Sequence, residues 1–128
     1  MLINGFTSAT AGRSPNAVSL FWWQGWSSAW YVTSIFDIQG FSCDEPGTFV
    51  LVRRERNGSC TPLMVGASEN VGEDLFAHYG PALMRAIKSG ATEVHVHLLA
   101  QTPEDRAVVM EDIAQGWQMP VHPAPVCG

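Results

Sequence analysis

The chain has 128 residues, enough for one domain with a substantial core. Hydrophobic residues make up 46% and charged residues only 15%, with seven Lys plus Arg and a net charge of −5. That balance disfavours nucleic acid as a partner, because neutralising phosphates with a basic patch supplies most of such affinity.

No run of about 18 apolar residues occurs, so no membrane span is expected. The apolar stretch from Ala17 to Val32 is interrupted by Gln24, Gly25, Ser27 and Ser28, and only Arg13 precedes it. It reads poorly as a secretory leader. Cys43, Cys60 and Cys127 are odd in number and lack C-x-x-C spacing, which points to free thiols in a reducing, cytoplasmic compartment.

Residues 1–28 carry one charge, Arg13, and read as an N-terminal arm rich in Ser, Ala, Gly and Trp. Trp22, Trp26 and Trp30 recur every fourth residue, which would line three indoles along one face of a helix. They either pack onto the domain as a short helix or strand, or form a docking surface, since interfaces are enriched in Trp. No interleaved cations accompany them, so stacking on bases is disfavoured.

The remaining chain reads as a single α/β (α+β) domain over residues 29–122, followed by a tail at 123–128. "AWYVTSIFDI" is a strand by its β-branched and aromatic content, and "DEPG" from Asp44 is a turn. "TFVLVRRE" and "TPLMVGA" form a hairpin about Asn57-Gly58. Arg53, Arg54 and Arg56 make one small basic spot near its end, read as a solvated strand end.

After Gly66 the period lengthens to a helix. Val71, Leu75 and Tyr79 share a face with Phe76 beside them, and Ser68 or Asn70 provides the cap. A second helix from Pro81 to Ser89 presents Leu83, Met84 and Ile87, and Gly90 stops it. "TEVHVHLL" alternates, placing Val94 and Val96 on one face and Glu93, His95 and His97 on the other. Thr102 caps a last helix with Pro103 in its first turn, along which Ala107, Met110, Ala114 and Trp117 form a stripe.

From residue 47 the predicted order is thus β-β-α-α-β-α, a small mixed or antiparallel sheet flanked by helices. This order, with "GTFVLVRRE", "LMVGAS" and "GATEVHVHLLA" followed by "RAVVMEDIAQGWQMPVH", resembles the GIY-YIG domain, in particular its small bacterial relatives. The resemblance covers about residues 47–122. It implies a nuclease frame in which tyrosines at the hairpin, an arginine on the first helix and a metal-binding glutamate on the last helix cleave a phosphodiester. Cation and metal stabilise the charge that develops in such a reaction.

Carried over residue by residue, Gly47 and Gly66 match the motif glycines. Phe49 and Met64 stand at the two tyrosines, Asp74 at the arginine, Met110 at the glutamate and His122 at the final asparagine. Phe49 and Met64 have no proton to transfer, Asp74 repels phosphate, and Met110 offers no hard oxygen to Mg²⁺. The resemblance therefore implies a catalytically degenerate domain that binds a protein partner or a second copy of itself, with Trp22, Trp26 and Trp30 as binding residues and no cofactor. The alternative is a nuclease using Mg²⁺ or Mn²⁺ with displaced residues: Glu111 one position along, Tyr79 or Tyr31, and Arg53 or Arg85.

Two further constellations stand out. Asp74 and His78 lie four apart on one helix, and His95 and His97 share a strand face. Together they are a candidate metal or acid–base site, set against the ordinary reading of a surface pair and a polar strand face. Cys60 beside the turn could face the arginines across the hairpin, but a plain turn cysteine is the reading adopted.

Overall fold

The computed structural model describes residues 19–119. Its elements are β1 (Leu20–Gln24), β2 (Trp30–Asp37), β3 (Gly47–Arg54), β4 (Cys60–Ser68), α1 (Val71–Ala77), α2 (Gly80–Lys88), β5 (Glu93–His97) and α3 (Pro103–Gly116). The strands form one sheet in the order β1-β2-β5-β3-β4, and every pairing is antiparallel. Two hairpins, β1–β2 and β3–β4, are joined by β5, which hydrogen-bonds to β2 on one side and β3 on the other.

Period-two alternation feeds two cores, one on each face of the sheet. Phe49, Leu51, Met64, Val94 and Val96 face α1 and α2, where Val71, Leu75, Tyr79, Leu83 and Ala86 complete the packing. Val50, Val52, Val65, Phe21 and Trp23 face α3, which contributes Val109, Met110, Ile113 and Ala114. β3 is buried on both sides from Gly47 to Val52, so it reads as a continuous apolar run instead of an alternating one.

The helix ends follow their capping residues. Asn70 Oδ1 accepts the Glu73 N–H at 3.0 Å, and Thr102 Oγ1 accepts the Asp105 N–H at 3.0 Å. Gly90 ends α2 at a φ of 99°, which only glycine adopts without strain. The Asn57-Gly58 turn forms as expected, with Gly58 at a φ of 90°.

Three expectations are corrected. The arm does not extend to residue 28, because β1 is part of the sheet and Trp23 is fully buried; only residues 1–18 of it lie outside the described residues. Trp22, Trp26 and Trp30 do not share a helix. Trp22 lies on β1, Trp26 in the connecting turn and Trp30 on β2, because β pairing with β2 buries Phe21 and Trp23, which a helix would set on different faces. Phe76, Met84 and Ile87 are exposed; Ala86 instead of Ile87 meets the core, since the short helices turn one narrow stripe inward.

Candidate functional site

The residues suggested for phosphoryl chemistry are divided between the two cores. Phe49 is fully buried on the α1/α2 side, edge-on to Tyr79 with ring centroids 5.3 Å apart. Met64 is buried in the same core. Met110 stands on α3, in the core on the other face of the sheet. A Cβ on Gly66 would sit 2.5 Å from Phe49 Cζ, so this glycine is required by the ring packed over it. Gly47 is likewise held by packing, because a Cβ there would approach the His97 carbonyl oxygen to 2.9 Å.

The polar candidates are committed elsewhere. Asp74 accepts the Ser68 hydroxyl at 2.5 Å and lies 3.5 Å from His78 Nε2. Tyr79 donates its hydroxyl to the Ala67 carbonyl at 2.9 Å, and burial first, then Asp74, pushes its pKa up to about 12. Tyr31 donates to Asp112 at 2.6 Å and is raised to about 12 by burial and by that carboxylate. Arg53 pairs with Glu55 at 2.8 Å and donates to the Ser89 carbonyl. Arg85 is exposed on α2. Glu111 is exposed on α3 and borders a groove of about 460 Å³ with Trp26, Gln115, Gln118 and Met119. It also borders a smaller cavity of about 150 Å³ with Ser68, Glu69, Arg106 and Met110. His122 and Cys127 lie outside the described residues.

The four residues suggested as metal ligands do not converge. Asp74 and His78 stand on α1, on one side of the sheet, whereas His95 and His97 point beneath α3 on the other. Strand alternation dictates this: Val94 and Val96 face α1 and α2, so the histidines face away. Nor is the histidine face a solvated one, because both rings are buried. His97 Nδ1 meets the Val32 carbonyl at 2.7 Å.

Among the described residues, the donor atoms that do gather are those of Cys60, Glu93 and His95, all within 4.8 Å of one another. Their bonds are already assigned. The Trp23 indole N–H, which can only donate, meets His95 Nδ1 at 3.0 Å. Nδ1 must accept, so the proton of the neutral ring sits on Nε2 and is donated to Glu93 Oε1 at 2.8 Å. Arg54 holds both Glu93 oxygens at 3.0 Å.

Electrostatics agree with this assignment. Burial lowers the His95 pKa against the opposing pull of Glu93. Burial works to raise Glu93, but His95 and Arg54 outweigh it and hold the carboxyl below its ordinary value. Burial pushes the Cys60 thiol up to about 11, with Arg54 opposing. A metal on Nε2 would need a protonated Nδ1 facing the indole N–H, two donors head to head. The cluster suits a buried hydrogen-bond chain across β1, β5 and β3 better than a metal centre. The sequence signal for it was weak, because Arg54 and Glu93 are 39 residues apart and look like ordinary strand ends.

A second assembly fixes the β1–β2 turn to α3. Asp112 accepts the Ser27 N–H at 2.8 Å, the Ser27 hydroxyl at 2.6 Å and the Tyr31 hydroxyl at 2.6 Å, while its backbone carbonyl accepts the Trp26 N–H at 2.9 Å. Burial works to raise Asp112, yet these donors hold it below its ordinary value. Gly25 permits the approach; a Cβ there would lie 2.2 Å from Asp112 Oδ2.

The anchored hairpin presents the indoles outward. Trp26 at its tip is 66% exposed and Trp30 is 39% exposed. Trp22 and Gln24 share the face of Trp30 through the Trp22↔Val32 and Gln24↔Trp30 pairs. α1 and α2 pack on β3 and β4 at the far end of the sheet. Leu20, Trp22 and Val32 are accordingly only half-buried. No helix among the described residues is long and apolar enough to cross a membrane.

Comparison with protein-family models, with curated proteins and with solved structures finds no match to this chain.

Proposed function

We propose that this chain is a non-catalytic, GIY-YIG-like domain that binds a protein partner or itself through its aromatic β1–β2 hairpin. The observation that carries the reading is the exposure of Trp26 and Trp30 on a hairpin locked to α3 by Asp112. Exposing large indoles to water has a cost, and rigid indoles are the residues that most often anchor an interface. The loss of reactive groups supports the same reading, since Phe49, Met64 and Met110 serve the two cores.

Light scattering over a concentration series, alongside Trp26→Ala and Trp30→Ala, tests it. Association that weakens in both variants is the expected result. A strictly monomeric protein that also captures no partner in a purified binding assay sinks the proposal.

One observation favours a second reading, a metal-dependent phosphodiesterase with displaced residues: Glu111 and Arg106 border the same cavity. Arg106 is already paired with Glu69, which places this reading second. Cleavage of DNA with Mg²⁺ or Mn²⁺ that disappears in Glu111→Ala would reverse the order.

A further inference from the structure

The two edges of the sheet are built differently. β4 carries Pro62 and an extra, unpaired residue at Leu63, where the register shifts between Leu51 and Val52, features that protect an edge from pairing. β1, "LFWWQ", has neither proline nor bulge nor charge. Residues 19–36 contain no charged residue at all, in a chain whose net charge is −5.

The hydrogen-bond alternation identifies which backbone groups of β1 point outward. Ser19 pairs with Ile35, and Gly25 with Ala29, through N–H to carbonyl bonds of 2.9 Å each. In an antiparallel ladder such pairs alternate, so Phe21 and Trp23 also bond inward to β2. Val32, opposite Trp22, agrees: its carbonyl points the other way, to His97. The N–H and C=O groups of Leu20, Trp22 and Gln24 therefore face away from β2, where no strand lies among the described residues.

We propose that two copies of this chain pair through their β1 edges, antiparallel about a two-fold axis at Trp22. This rests on reading the hairpin as a binding surface and names a second copy as what binds there. Trp22 exchanges N–H and carbonyl bonds with its own copy, and Leu20 of one chain faces Gln24 of the other. A two-fold pairing sets each residue near the axis against itself, so any charge there would meet a like charge. β1 carries none, and it is where two acidic chains meet without repulsion. Trp22 meets its copy on the half-covered face of the hairpin, beside Trp30, and the indoles shield one another from water.

The test uses the full chain. Light scattering is expected to give twice the chain mass, and Trp22→Pro, which removes an outward N–H and no internal bond, is expected to halve it with an unchanged circular dichroism spectrum. In a Cys127→Ser background, Trp22→Cys is expected to form an intermolecular disulfide under mild oxidation. A hydrogen-bonded pair sets the two Cα atoms about 5.5 Å apart, inside the roughly 4.4–6.8 Å range of disulfides.

A dimer that survives Trp22→Pro, fails to cross-link and dissociates in Trp26→Ala overturns the edge pairing while leaving the hairpin as a binding surface. A monomer with rapidly exchanging Leu20 and Trp22 amides overturns the pairing. A monomer with those amides protected assigns the edge to residues 1–18 of the same chain and overturns it too.

Discussion

The Trp23 indole donates to His95 Nδ1 across 3.0 Å, and this one bond fixes the tautomer of a buried imidazole 72 residues away. Because the donor cannot reverse, His95 must give its proton to Glu93, and Glu93 in turn holds Arg54. Protonating His95 would set two N–H groups against each other.

Acid should therefore weaken the fold in a defined window. Burial depresses the His95 pKa below its ordinary 6.5, so the unfolded chain takes up this proton at higher pH than the folded one. The stability that the neutral ring contributes is complete above 6.5 and is lost as pH falls from there toward the depressed folded value. Urea denaturation at a series of pH values should show that slope, flattened in His95→Gln. An unchanged slope in His95→Gln would rule out this origin.

Trp23→Phe keeps an aromatic ring but removes the donor to His95. The lost bond and the uncompensated Nδ1 should cost about 1–3 kcal/mol, before any loss of packed volume. Equilibrium denaturation measures it, and a neutral result would show that Nδ1 finds another partner.

Gly66→Ala should destabilise by about 1–3 kcal/mol, since inserting a methyl into a packed core forces side chains off their rotamers. The Phe49 ring is the group that must move, with Cζ only 2.5 Å from the new atom. Pairing Gly66→Ala with Phe49→Leu should recover part of the loss. Strict additivity of the two would show that they do not clash.

Arg106 and Glu69 form an ion pair whose halves differ in burial: the Arg106 side chain is 3% exposed and Glu69 68%. Glu69 itself is solvated, but its loss leaves a buried guanidinium without its counter-charge, so Glu69→Ala should cost about 1–2 kcal/mol. Arg106→Ala should cost about 2–4 kcal/mol, because it empties a buried site and strips a donor from the Ala100 carbonyl. Thermal melts of the two variants check the order, and a larger loss for Glu69→Ala would refute it.

Asp112→Ala should free the β1–β2 turn from α3 while leaving β3, β4 and β5 paired. Hydrogen exchange should accelerate at Ser27, whose amide bonds to the Asp112 carboxylate, and remain slow at Val50. Uniform acceleration across the sheet would mean that the clasp supports the whole fold and not only the hairpin.

Much of the architecture was legible locally. The Asn57-Gly58 turn, the Asn70 and Thr102 caps, the Gly90 stop and the alternation of β5 all depend on neighbours in sequence, and pattern reads such features well. β1 stays open between helix and strand in the local pattern, because Trp22, Trp26 and Trp30 happen to fit a helical spacing, while the residues that decide its conformation, Tyr31 and Thr33, lie on the partner strand.

The chain's sequence by itself determined the turns, the caps, the two alternating faces of β5, the low charge and the absence of reactive groups at Phe49, Met64 and Met110. Only the tertiary structure decided that His95 is buried and tautomer-locked, that Asp74 and His78 lie across the sheet from His95 and His97, and that β1 is an unguarded edge. Caps and turns close over three or four residues. A cross-strand partner or a sheet edge is set by which distant strands pair, and that follows from how the whole chain buries its apolar faces.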